Sequence, residues 1–284
     1  MQAFVGLSSD ALGTLTLGRQ YDPTVDLVQP ITADGYGAAF STPGDADNND
    51  NTFWVNNSVK YASPSYAGFQ YELLYALGGV AGNTSAGQTY SASALYVSGG
   101  FSVAAGYLFA KNNEAGGLGT SDQNQNNSAT PLFGQTAFVG SRQIVQAAAQ
   151  YVIGALTANV RYSNAQYRPF ADFGAFDRTE NFNIAAASLG WQVQPSVLLA
   201  VGYTFMKSSG ASSATYNSIA GTSQYNLSKR TVLYATGGFA HASGTTFSSN
   251  GATLVTAAGT VSDMTSSSST PNQIAAMIGI LHRF

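Results

Sequence analysis

The sequence predicts an all-β protein, a transmembrane antiparallel β-barrel, and three observations carry the prediction. Segments with period-2 alternation come in pairs joined by about three to six residues, and the pairs are separated by polar stretches of roughly ten to thirty, the pattern of short turns at one end and long loops at the other. Only 9% of the 284 residues are charged, against about a quarter in a soluble domain. No run approaches the ~20 apolar residues of a membrane helix, and a closed barrel is the other way to satisfy backbone polar groups in lipid.

The predicted elements follow in order. Residues 2–9 and 13–22 form a hairpin about Asp10-Ala11-Leu12, and 23–51 is a long loop. Residues 53–62 and 68–78 pair about Ser63-Pro64-Ser65-Tyr66-Ala67, and 88–97 and 101–111 about Ser98-Gly99-Gly100. The loop 112–139 is followed by 140–152 and 155–165, joined at Ile153-Gly154. After the loop 166–179, strands 180–192 and 197–207 meet at Val193-Gln194-Pro195-Ser196. The short loop 208–214 leads to 215–226 and 231–242, joined by Leu227-Ser228-Lys229-Arg230, and the loop 243–270 precedes a last strand, 272–284. Pro64 and Pro195 fall in turns, where they remove no ladder bond.

Alternation is clear in Phe69-Gln70-Tyr71-Glu72-Leu73, in residues 101–109, in 156–163 and in 197–205, so one face suits lipid and the other water. Strands 180–192 and 215–226 alternate poorly, and the pattern assigns them no faces. Aromatics gather near strand ends (Tyr61, Tyr66, Phe69, Tyr90, Tyr96, Tyr107, Phe109, Tyr151, Tyr162), as interface girdles do. A soluble sandwich also has many strands, but strands of ten or more residues exceed the usual five or six.

Composition also limits the chemistry. With no cysteine, disulfides and thiolate catalysis are excluded. A net charge of −3 without a basic block argues against nucleic acid as a partner. There is no P-loop or dinucleotide fingerprint, and the sequence implies no cofactor and no resident metal. Asp45-Ala46-Asp47-Asn48-Asn49-Asp50 opens like a calcium loop, but its sixth position is not Gly and its twelfth is Asn56 rather than Glu. The two histidines are His241 and His282. A trio of His241, Ser243 and Asp263 is the kind any Ser-rich chain offers, so the expectation is that the protein is not an enzyme.

Several segments, taken in order, resemble the Gram-negative general diffusion porins, most closely the β-proteobacterial branch: Gln2-Ala3-Phe4-Val5-Gly6-Leu7, Gly13-Thr14-Leu15-Thr16-Leu17-Gly18-Arg19-Gln20-Tyr21-Asp22, Asn56-Asn57-Ser58-Val59-Lys60-Tyr61, Leu227-Ser228-Lys229-Arg230-Thr231 and His282-Arg283-Phe284. The resemblance spans the chain and implies a single homotrimeric sixteen-stranded barrel domain in an outer membrane. It implies small hydrophilic solutes and ions as cargo, and lipid, lipopolysaccharide and the outer-membrane insertion machinery as further partners. Thirteen strands are visible here, so the chain is expected to correspond to strands four to sixteen, with the signal peptide and about three strands absent. Met1 stands where relatives usually carry Arg, and Phe53-Trp54-Val55 stands where relatives often have a basic residue before Asn56-Asn57.

The resemblance makes 23–51 the loop that folds inward and narrows the pore, while the other long gaps face the outside. Residues 22–50 hold Asp22, Asp26, Asp34, Asp45, Asp47 and Asp50 and no Lys or Arg. Two readings stand: a solvated acidic face, or one side of a charged constriction with weak cation preference. Parity turns Lys60, Arg142 and Arg161 toward the lumen, since a charge on the lipid face costs about 2–4 kcal/mol at mid-bilayer. Glu72 shares the phase of Gln70 and also points inward. Arg19 shares the phase of Leu15 and Leu17, hence outward, where the resemblance suggests a subunit contact with a neighbour's acid. Ile280, His282 and Phe284 lie in the terminal segment that the resemblance reads as an assembly signal. A solute-specific channel and a non-transporting barrel, anchor or adhesin, remain alternatives.

Overall fold

β-Branched and aromatic side chains at every second position suit a pleated sheet with one apolar face. The computed structural model describes residues 2–112, 139–170, 174–248, 251–262 and 266–283, nearly all of the regular structure being antiparallel strand. The strands are β1 (Ala3–Ser9), β2 (Gly13–Gln20), β3 (Val55–Ala62), β4 (Phe69–Ala76), β5 (Thr89–Ser98), β6 (Phe101–Lys111), β7 (Val139–Ile153), β8 (Leu156–Pro169), β9 (Glu180–Gln194), β10 (Val197–Ser209), β11 (Ser213–Asn226), β12 (Thr231–Phe247), β13 (Leu254–Thr256) and β14 (Asn272–His282). Each strand from β1 to β12 pairs with the next, and β12 then pairs with β14 along its first half and with β13 at its far end. No helix among the described residues is long and apolar enough to cross a membrane.

Three details differ from the sequence reading. Strand β8 runs to Pro169, four residues into the expected loop 166–179. Strand β12 runs five residues beyond the expected 242, and β13 lies inside the expected loop 243–270, giving fourteen strands among the described residues rather than thirteen. Ladder bonds from Thr245–Phe247 to Leu254–Thr256 hold this extra strand, and no alternation in so short a run could announce it. Most of the expected loop 112–139 lies outside the described residues.

The register explains the two strands whose faces the pattern left open. In β9, Glu180, Phe182 and Ile184 are buried, whereas Leu189, Trp191 and Val193 are exposed on the opposite phase. In β11, Ala214, Tyr216, Ser218, Ala220 and Thr222 turn inward and Ile219 and Tyr225 outward. The hydrophobic signal is blurred because apolar residues also line the inside at the long-loop end, where Tyr167, Phe176, Phe182, Ile184, Met206, Tyr216 and Phe247 form one cluster. Elsewhere the inner phase carries small or polar residues such as Ser91, Ser93, Asn159 and Ser163.

The outer surface is a continuous apolar field that includes Leu15, Leu17, Val59, Leu73, Val145, Val160, Val201, Ile219, Phe239 and Ile278. A patch of that extent is far larger than a soluble monomer leaves open, and it fits lipid. Aromatic pairs stack across strands on this face: Tyr90 lies opposite Phe109 in register with ring centroids 4.9 Å apart. Near the short turns Phe69 pairs with Tyr96 and Phe101 with Tyr151.

A charge placed on this face should be costly: Val160→Arg is expected to lower folding stability in lipid vesicles by about 2–4 kcal/mol. Denaturant titration of vesicle-inserted protein measures it, and an unchanged midpoint would show that Val160 does not face lipid.

Candidate functional site

Between β2 and β3 the chain leaves the sheet and lies along its inner wall. Helix α1 (Pro23–Leu27) starts the segment, and four 3-10 turns follow at Gln29–Ile31, Ala33–Tyr36, Ala38–Phe40 and Pro43–Asp45. Asp22 caps α1: its carboxylate accepts from the backbone N–H of Thr24 at 2.8 Å and from the Thr24 hydroxyl, with Pro23 in the first helical turn, where its missing N–H costs nothing. Val28 and Ile31 pack on Ala104 of β6 and Ala148 of β7. Phe40 packs on Ala200, Ala220 and Ala240 of β10, β11 and β12.

Two glycines on the wall receive this segment. A Cβ at Gly190 would sit 2.3 Å from the Tyr36 hydroxyl, and one at Gly202 would sit 2.9 Å from the Phe40 ring. Tyr36 also accepts at its carbonyl from Gln224 Nε2 (3.2 Å), while Asn159 Nδ2 donates to the carbonyl of Ile31 (2.8 Å).

The return leg is a tight coil. Gly44, Asp45, Asn48 and Asn51 have φ of 63°, 44°, 56° and 60°, and Gly, Asp and Asn are the types that tolerate this left-handed region. Asp45 folds the coil on itself, accepting from the backbone N–H of Asp50 (2.9 Å) and Thr52 (3.2 Å) and from the Thr52 hydroxyl (2.7 Å). Asn48 ties the two ends together: its amide donates to Asp22 (2.8 Å) and its carbonyl accepts from the N–H of Phe53 (2.8 Å).

The charged groups meet in contact pairs. Arg161, on the inner face of β8, forms a buried ion pair with Asp47, donates to Thr42 Oγ1 at 2.9 Å, and Ser163 joins the same carboxylate. Gln146 donates to the carbonyl of Asp47, and the Tyr167 hydroxyl to that of Ala46 (2.6 Å). Lys60 forms an ion pair with Asp26, and Glu72 Oε2 lies 3.9 Å from the same ammonium. Arg142, 1% exposed, places its guanidinium 4.2 Å from the Phe53 ring centroid.

These contacts alter the picture of six acids facing bases across a gap. Asp22, Asp45 and Asp47 are fully buried, and a carboxylate taken out of water needs hydrogen bonds or a counter-charge at contact distance. Asp47 fastens the segment to the wall and Asp22 and Asp45 hold its ends and its coil together, while Asp26, Asp34 and Asp50 keep partial access to solvent. Burial pushes the Asp22 carboxyl above its ordinary value of 3.8, against the lowering effect of the Thr24 hydrogen bonds.

Arg19 has partners inside its own chain. Its Nη1 donates to Asn56 Oδ1 (2.8 Å), and its guanidinium lies 5.1 Å from the Trp54 ring centroid. On β14, Ile280 is exposed on the outer phase and His282 Nδ1 is 2.9 Å from the Thr231 hydroxyl, whereas Phe284 lies outside the described residues. His241 is bonded to Asn272 (2.8 Å), and the Asp263 of the considered trio is outside the described residues. Asn48, Gln146, Asn159, Ser163 and Tyr167 were not singled out from sequence. Parity places Gln146, Asn159 and Ser163 in the inner phase, whereas Tyr167 falls in the expected loop 166–179, and no local signal tells which loop atom each one meets.

A sheet that is apolar outside and polar inside, with a long segment folded along its inner wall, defines a strand-built membrane channel. The chain belongs to the Gram-negative porin family, whose sequence profile matches residues 1–245. Among solved structures, the anion-selective porin from Comamonas acidovorans is 18% identical over 100% of this chain and 77% of its own, with a TM-score of 0.69. OmpT, an outer membrane protein of Vibrio cholerae, is 14% identical over 99% and 79%, at 0.66. Salmonella typhi OmpF, solved in complex with daunomycin, is 15% identical over 98% and 77%, at 0.60. No curated protein matches the chain. The protein is thus an outer-membrane β-barrel porin, a passive channel and not an enzyme.

Two outcomes are expected. Asp47→Ala leaves Arg161 buried without its counter-charge and should cost about 3–5 kcal/mol, while the double change Asp47→Leu with Arg161→Met should cost less; unfolding midpoints of the two decide. Because the Asp22 pKa is raised on folding, its contribution to stability is present below the ordinary carboxylate value and lost as pH rises through the raised one. Asp22→Asn, which keeps an acceptor at the helix cap, should flatten that fall above pH 3.8, as read from melting temperature against pH.

Proposed function

We propose that the protein is a general diffusion porin, passing ions and small hydrophilic solutes through a water-filled lumen, with weak cation preference and residues 23–51 as the constriction. The observation that carries this reading is the inner segment itself. With Asp22 at its start it bears six carboxylates and no base, against Lys60, Arg142 and Arg161 on the wall, and Asp47 and Asp26 meet Arg161 and Lys60 in direct contact. The balance of fixed charge along this part of the path is negative, and ion preference follows lining charge. The related Comamonas porin is anion-selective, so the preference rests on this chain's own side chains.

Assembly as a homotrimer is part of the proposal. OmpT of Vibrio cholerae has been solved in a trimer form, and the outward surface near β2 and β3 offers Leu15, Leu17 and Val59 beside Arg19 for contact with a neighbour. The remainder of the outer field would meet lipid, with lipopolysaccharide at the long-loop end.

Planar bilayers in a KCl gradient test the selectivity. The reversal potential should have the sign of potassium preference, and Asp34→Asn with Asp50→Asn should move it toward zero. A clear chloride preference of the unaltered protein would refute the proposal. Saturable block of the conductance by one solute would instead favour a solute-specific channel, and absence of ohmic conductance a non-transporting barrel.

A further inference from the structure

The last long gap does not stay outside. Leaving β12, the chain forms the short β13, and residues 257–262 then turn into the barrel, with Ala257, Thr260, Val261 and Ser262 all 1% exposed or less. Val261 packs into the cluster of Ala39, Phe40, Ala220 and Ala240, and its N–H donates to Gln273 Oε1 of β14 at 2.6 Å. Ser262 reaches the inner segment directly. Its carbonyl accepts from the N–H of Gly44 at 2.8 Å, and its hydroxyl is hydrogen-bonded to that of Ser41. The expectation that only one gap folds inward is therefore corrected: among the described residues two do, and they touch.

We propose that residues 257–262 are a second constriction element, latched to the tip of residues 38–44, and that the two segments together set the size limit for solutes. The inference rests on the porin reading. Three features support it. The contact combines apolar packing, a backbone bond and a side-chain bond at one place. The segment spans β12 and β14, so it narrows the channel on a side that the first segment reaches only at its tip. Residues 251–262 also contain no charged side chain, so this element acts on size and leaves ion preference to the acids of the first segment. The solutes it would discriminate are uncharged hydrophilic molecules graded by bulk.

The test uses two variants of the outer-membrane protein. Val261→Ser with Ser262→Gly removes the apolar contact and the hydroxyl bond. It should raise single-channel conductance about twofold and admit tri- and tetrasaccharides in a liposome-swelling assay more than it speeds a monosaccharide, with no shift of the KCl reversal potential. Ser41→Cys with Ser262→Cys, in a chain with no other cysteine, should form a disulfide in the folded protein under a mild oxidant, read by the mobility of a proteolytic fragment. Failure of that cross-link overturns the latch, whether or not the first variant folds. A formed cross-link together with unchanged conductance and unchanged size limit in the first variant overturns the constriction role. A wild-type protein without ohmic conductance would instead refute the porin reading, and the cross-link would still report on the latch.

Discussion

Every feature of this molecule depends on one constraint: in hydrocarbon, a backbone N–H or C=O left unpaired costs several kcal/mol. The ladder that runs from β1 through β12 to β14 answers it for the strands between those two. A pleated ladder then forces alternation, so the phase that meets lipid must be apolar and the other phase is released for small and polar side chains. Leu189 and Trp191 lie outside, and Ser188 and Gly190, alternating with them, face in, because of that geometry.

The same constraint shapes the inner segment. Its short helical turns satisfy part of their own backbone, and wall side chains Asn159, Gln146, Tyr167 and Gln224 take up four further carbonyls. The carboxylates serve the same end. Asp45 and Asp22 bond to backbone N–H groups, and Asp47 bonds to Arg161 and Ser163. A buried ion pair of this kind adds little net stability compared with apolar packing, but it fixes position, since a displaced segment would strand two charges. Positional fidelity is what a fixed aperture requires.

Most of the barrel was legible in the sequence because alternation and turn spacing are local. Residues 101–109 and 156–163 display their faces without help, and Arg142 and Arg161 follow from parity alone. Legibility fails where one side chain answers to a partner far along the chain. Asp47 and Arg161 are 114 positions apart and Ser41 and Ser262 are 221 apart, and no window on the sequence joins them. Arg19 shows the limit of parity: its phase was readable, but its partners, Asn56 in the next strand and Trp54 just before it, come from across a loop whose path the pattern does not give.

The Asn48 side chain, by joining Asp22 to Phe53, draws the inner segment into a lobe with a closed neck. In polymer terms the ends are already brought together, and the entropy of closing the lobe grows only with the logarithm of its length, about 0.6 kcal/mol per doubling. Residues of the lobe that touch no wall side chain can thus be added or lost at little closure cost while the strands on either side keep their register. A single amide thus sets where the lobe begins and ends, and the wall contacts set where it lies.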